Sequence, residues 1–80
     1  MTFLDKYNQS KIWHEKVLVM GLYHITQRQR FHNCWTMDDT AEYFGVSKGL
    51  VSENVKLHRA MDNDLSIIQL TREQALRLIR

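Results

Sequence analysis

Apolar side chains recur every three or four residues along most of this chain, the spacing of α-helices rather than the strict alternation of strands. The first such stretch opens after Ser10, a residue suited to capping a helix, and runs to about Ile25, with a looser start near Leu4. Its apolar residues, Ile12, Trp13, Val17, Leu18, Val19, Met20, Leu22, Tyr23 and Ile25, spread over most of the helix circumference. An ordinary surface helix carries one apolar stripe. Two readings fit: a central helix buried on all sides, or a helix with one side in a dimer. Gly21 costs about 1 kcal/mol relative to alanine in a helix interior, and it is expected to mark a close helix crossing. Residues 27–35 read as the end of that helix and a loop.

The later boundaries carry stronger signals. Thr36-Met37-Asp38-Asp39 sets a capping side chain three residues before a carboxylate, and two acids suit the positive end of a helix. That helix should run to about Phe44, where Gly45 stops it, because glycine takes the left-handed conformation cheaply. Ser47 caps the next helix, which should reach about Met61. Residues 62–64 read as a loop, and residues 66–70 as a short, ambiguous turn. Thr71-Arg72-Glu73-Gln74 is a second capping box. It opens a last helix through Arg80, with Ala75, Leu76, Leu78 and Ile79 on its apolar side. The expectation is one all-α domain over residues 1–80: a compact bundle of about four helices with no wing. Residues 1–35 form the N-terminal helix and loop, 36–61 a helix-turn-helix, and 62–80 the C-terminal helix.

The spacing within residues 40–57, TAEYFGVSKGLVSENVKL, is what points to a helix-turn-helix. Two short helices that meet steeply through a tight turn need a small residue at the crossing and positive φ in the turn. Ala41 supplies the first and Gly45 the second. Val46 tucks under the turn, and Val51 and Val55 pack back toward Ala41 and Phe44. Phe44, Leu50 and Leu57 are expected to close the core. Asn54 departs from the pattern, since it falls where an apolar residue is usual. Either the second helix is slightly rotated, or Asn54 lies at the core edge with a hydrogen-bond partner.

In this architecture the second helix offers its N-terminal end to the major groove of DNA. The side away from Val51 and Val55 carries Ser47, Lys48, Gly49, Ser52, Glu53 and Lys56. Ser47 and Ser52 can donate to phosphates or bases, Lys48 can reach a phosphate or a guanine edge, and Gly49 lets the backbone approach closely. Lys56 and Arg59 suit phosphate contacts. Glu53 either accepts from a cytosine amino group or points away. Gln27-Arg28-Gln29-Arg30 reads either as a basic arm carrying Arg28 and Arg30 along the duplex, or as a solvated helix end where cations are favourable.

With these residues in view, residues 40–79 resemble the helix-turn-helix part of ParB-like partition proteins. The similar features are AEYFGVSKGLVSENVKL, with its Ser-Lys-x-x-Val-Ser start to the recognition helix, and LTREQALRLI after a slightly shorter connector. The same motif also occurs in phage and bacterial regulators. The resemblance covers about half the chain and implies sequence-specific binding to duplex DNA. Residues 1–35 have no counterpart to that family's nucleotide-binding part, so its CTP-dependent clamp activity is not implied.

Composition narrows the classes. The net charge of +2 permits nucleic-acid binding without demanding it. Residues 1–35 hold five Lys/Arg against two Asp/Glu, and residues 36–60 three against four, so the basic surplus lies outside the motif. The single cysteine, Cys34, excludes a disulfide framework and fits a reducing compartment. No apolar run approaches the roughly 20 residues that span a bilayer, and the N-terminus lacks a secretory pattern. A cytoplasmic, nucleoid-associated protein is expected. His14, His24, His32, Cys34 and His58 lack zinc-site spacing, and no catalytic grouping stands out, so neither enzyme activity nor a cofactor is expected. Two classes remain. One is a duplex-DNA binder: a small regulator, or a partition-type or packaging-type site binder of phage or mobile-element type. The other is a protein-interaction module docking through its apolar first helix. A homodimer or a larger protein context is open, and the last helix is still running at Arg80.

Overall fold

Capping chemistry sets most of the helix boundaries. A computed structural model of the protein describes residues 1–32 and 34–79. Helix α1 spans Phe3–Gln9 and opens with a capping box: Thr2 Oγ1 accepts from the Asp5 N–H at 3.1 Å, and the Asp5 carboxylate accepts from the Thr2 N–H. Ser10 ends this helix instead of starting the next. Its hydroxyl donates to the Lys6 carbonyl at 2.8 Å, and its N–H reaches the carbonyls of Lys6 and Tyr7. A serine hydroxyl both donates and accepts, so it serves either helix end. Helix α2, Trp13–Arg30, starts without a side-chain cap and runs five residues past the expected Ile25. The segment of residues 27–30 is therefore its last turn and not a separate arm.

Helix α3, Met37–Phe44, opens with the Thr36/Asp39 box: the Asp39 N–H reaches Thr36 Oγ1 at 3.2 Å, and the Thr36 N–H reaches Asp39 Oδ2 at 2.9 Å. Helix α4, Lys48–Asn63, absorbs Asp62 and Asn63 from the expected loop. A 3-10 turn, Leu65–Gln69, follows under an Asp64 cap that accepts from the Ser66 N–H and hydroxyl. Helix α5, Arg72–Ile79, opens with the Thr71/Gln74 box. The expected extension to Arg80, and Asn33 in the expected loop, lie outside the described residues. The architecture is all-α, with one helix more than expected because α1 is separate from α2.

Helix α4 is the hub. It packs against α2, α3, α5 and the 3-10 turn, while α1 lies along α2. Two apolar clusters form. Met20, Tyr23, Ala41, Phe44, Val51 and Val55 join α2, α3 and α4, with Phe3, Leu4 and Tyr7 of α1 packed on them. Val17, Leu57, Met61, Ile67, Ala75 and Leu76 join α2, α4, the 3-10 turn and α5. Leu57 thus serves the second cluster, and Leu50 is only half-buried. The cause is helical geometry: at about 100° per residue, Val55 stays near the azimuth of Val51 while Leu57 lies well over half a turn past it. Trp13 anchors the second cluster by donating its indole N–H to the Leu70 carbonyl at 3.0 Å.

Gly21 is the close crossing of α2 on α4. A Cβ added there would stand 2.6 Å from His58 Cβ and 2.7 Å from His58 Cδ2. No other residue type fits without displacing that ring. A buried polar set then fixes α3 against α2. Thr40 Oγ1 accepts the Trp35 indole N–H at 2.7 Å and lies 2.7 Å from His24 Nδ1. Burial, helped by the positive charge of Arg28, pushes the His24 imidazole below its ordinary value of 6.5.

Candidate nucleic-acid interface

The turn between α3 and α4 is built from backbone chemistry. Gly45 sits at φ 69° and ψ 37°, the left-handed region. Its N–H reaches the Glu42 carbonyl at 3.3 Å, and the Val46 N–H reaches back to Ala41 at 3.0 Å. These two bonds are a Schellman ending, which satisfies carbonyls the helix would otherwise leave open. Ser47 then accepts the Leu50 N–H on its hydroxyl at 3.1 Å and starts α4. Ala41, Phe44, Val51 and Val55 are all buried in one cluster, with Val46 half-buried against it. Ala41, Phe44, Val46, Val51 and Val55 thus meet at the α3–α4 junction, while Leu50 and Leu57, also expected to close this core, do not join that cluster.

Asn54 is not at the core edge but inside, 1% exposed. Its amide donates to the Met20 sulfur at 3.2 Å, while its side-chain oxygen has no partner among the described residues. The thioether is a weak acceptor, so Asn54 is under-satisfied. Burying Val51, Asn54 and Val55 together fixes the azimuth of α4 and determines what faces solvent.

The outward face carries Lys48, Gly49, Lys56 and Arg59, all exposed, with Ser47 exposed at the cap and Ser52 half-buried. Lys56 and Arg59 make no ion pair among the described residues. Lys48 does, reaching Asp38 of α3 at 3.8 Å. Both partners are well exposed, so the pair contributes little to stability. Its effect is to lay a carboxylate beside the first cation of α4. Glu53 does not face the same way: its carboxylate lies 3.8 Å from the Arg72 guanidinium of α5. Arg28 is half-buried and donates to the Trp35 carbonyl at 3.2 Å, whereas Arg30 is exposed and lies over the Phe31 ring.

Arg28 and Arg59 meet along one groove of about 420 Å³ between the last turns of α2 and the second half of α4. Ile25, Gln29, Met37, Val55 and Asp62 also line it. The structure thus gathers Lys48, Gly49, Ser52, Lys56 and Arg59 on α4 and adds Arg28 at the edge, and Arg30 does not line this groove. Local spacing does not reveal Asp38 and Arg72 as neighbours of Lys48 and Glu53, because those contacts depend on how α3 and α5 pack. No helix among the described residues is long and apolar enough to cross a membrane. No protein-family model matches the chain, and neither a curated protein nor a solved structure does.

Proposed function

We propose that α3, the Gly45 turn and α4 form a helix-turn-helix that binds double-stranded DNA with sequence preference, α4 being the recognition helix. The observation that carries this reading is the face of α4. Its inner side is held by Val51, Asn54 and Val55, and its outer side offers Ser47, Lys48, Gly49, Ser52, Lys56 and Arg59 in register. Seated in a major groove, the first two turns of α4 meet base edges through Lys48 and Ser52. Lys56 and Arg59, which have no carboxylate to leave, take phosphates, and Arg28 can take another across the groove. Glu53 stays with Arg72, which spares the duplex a repulsive contact. Lys48 must exchange Asp38 for the nucleic acid, so Asp38 weakens nonspecific attraction. The likeness of residues 40–79 to the partition-protein motif supports a small regulator or site binder.

The test compares variants on one duplex. Lys48→Ala with Lys56→Ala leaves helicity intact and lowers affinity roughly tenfold or more at low salt, since one base-edge contact and one phosphate contact are lost. Asp38→Asn raises affinity by a few-fold. Unchanged affinity in the double variant would remove α4 as the reading element.

A further inference from the structure

Two buried imidazoles line the groove between α2 and α4. His24 is 2% exposed and His58 9%. His58 lays its Cγ–Cδ2 edge on Gly21 of α2, so its two ring nitrogens point away from the helix crossing. Its Nδ1 stands 3.9 Å from Asp62 Oδ2, beyond hydrogen-bond reach. His24 Nδ1 lies 2.7 Å from Thr40 Oγ1. That oxygen already accepts the Trp35 indole N–H, so the Thr40 hydroxyl proton is assigned to Nδ1 and the ring hydrogen of His24 to Nε2. Nε2 is then the donor that His24 has left for the groove. Buried polar groups are ordinarily hydrogen-bonded, and these keep unused capacity beside an open volume.

We propose that this groove binds a small organic anion, a carboxylate on a short apolar body, with the carboxylate between Arg28 and Arg59. Beside the imidazoles, the ionisable groups of the lining are Arg28 of α2 and Arg59 and Asp62 of α4. Two guanidiniums against one carboxylate leave the lining net positive. Arg28 is half-buried and tied to the Trp35 carbonyl, which fixes its place. Asp62 is well exposed, where water screens its repulsion. The acids of α3 next to Met37 are engaged elsewhere: Asp38 faces Lys48, and Asp39 accepts from the Thr36 N–H. Guanidinium N–H groups and an imidazole N–H are all donors, which suits an acceptor-only carboxylate. A cation would meet both guanidiniums. Ile25, Met37 and Val55 supply apolar surface for the body of the ligand.

The groove's volume of about 420 Å³ falls within the roughly 300–1,000 Å³ of small-molecule sites. Arg28 and Arg59 are also the cations proposed to take duplex phosphates, so an occupied groove competes with that contact. The site itself does not rest on DNA binding, and its occupancy is measurable with no duplex present.

Titration of the full chain, followed by its backbone amide signals in NMR, compares benzoate, benzamide, benzylammonium and acetate. Benzoate should move the amides of residues 24–29 and 55–62, with dissociation on the order of millimolar. The other three should each bind at least about fivefold more weakly. Benzamide lacks the charge, benzylammonium carries the wrong sign, and acetate lacks the apolar body. Arg59→Gln should weaken benzoate about tenfold, and Asp62→Asn should tighten it by a few-fold. Both side chains are exposed, so both variants keep the fold. Lys11→Gln, which removes a cation that does not line the groove, should leave benzoate binding unchanged. No amide shift at about 50 mM benzoate would overturn the proposal. So would benzamide or benzylammonium binding as tightly as benzoate, or benzoate binding that ignores Arg59→Gln or falls equally with Lys11→Gln. Acetate binding as tightly as benzoate would overturn the apolar body.

Discussion

Asn54 puts a buried side-chain oxygen with no partner among the described residues beside Met20 of the α2–α3–α4 cluster. An unmet buried acceptor costs about 1–3 kcal/mol, whereas an apolar group of similar shape does not. Asn54→Leu should therefore raise unfolding free energy by about 1 kcal/mol in urea titration. A loss of stability would mean that the amide contact with Met20 outweighs the lonely oxygen. His24 gives a pH dependence. Its folded value lies below 6.5 because burial, and then Arg28, disfavour the imidazolium. As pH falls below 6.5 the unfolded chain takes the proton first, so stability present at neutral pH is lost on acidification. The thermal midpoint should drop between pH 7 and pH 5, and His24→Asn, which keeps a group facing Thr40, should flatten that drop. An equal drop in both proteins would assign the effect elsewhere. Neither residue's setting was legible locally, since what surrounds Asn54 and His24 comes from α2, α3 and α4 together.

At the scale of elements, two glycines act for different reasons. A Cβ at Gly45 would meet nothing within 4 Å, so only its φ of 69° is demanding. Gly45→Val should cost on the order of 1–3 kcal/mol from backbone strain alone, and Gly45→Asn much less, because Asn tolerates this region. Unchanged unfolding of Gly45→Val would remove Gly45 as the hinge between α3 and α4. Gly21 is the reverse case, with ordinary backbone and no room. Gly21→Ala should cost about 1–3 kcal/mol through overpacking on His58. Combining it with His58→Ala should recover part of that loss, as contacting sites do not add. Strict additivity in this cycle would mean that the two helices do not touch there. The capping boxes at Thr36 and Thr71 were legible because the partner lies three residues away. The role of Ser10 was not, because a box at Thr2 and Asp5 starts a separate helix upstream and leaves the serine at its end. The length of α2 was hidden for a related reason: Gln27, Arg28 and Arg30 look like loop chemistry, yet Gln27 bonds Tyr23 and Arg28 bonds the Trp35 carbonyl.

At the scale of the molecule, α4 touches α2, α3, the 3-10 turn and α5, so the azimuth of its outer face is tied to the whole bundle. The residue types on the outer face of α4, Lys48, Gly49, Ser52, Lys56 and Arg59, could be read from spacing. The pairings that tune it, Lys48 with Asp38 and Glu53 with Arg72, could not, because α3 and α5 deliver them. With a net charge of +2, the proposed duplex binding would rest on a few aligned cations and not on a broad basic field. The most direct measurement is a fluorescence-anisotropy titration with a duplex and with a single strand, each at two salt concentrations. The account predicts tighter binding to the duplex, with log affinity falling against log salt at a slope of about −3 for three phosphate contacts. No binding to the duplex at low salt, or equal salt-independent binding to both strands and duplex, would contradict it.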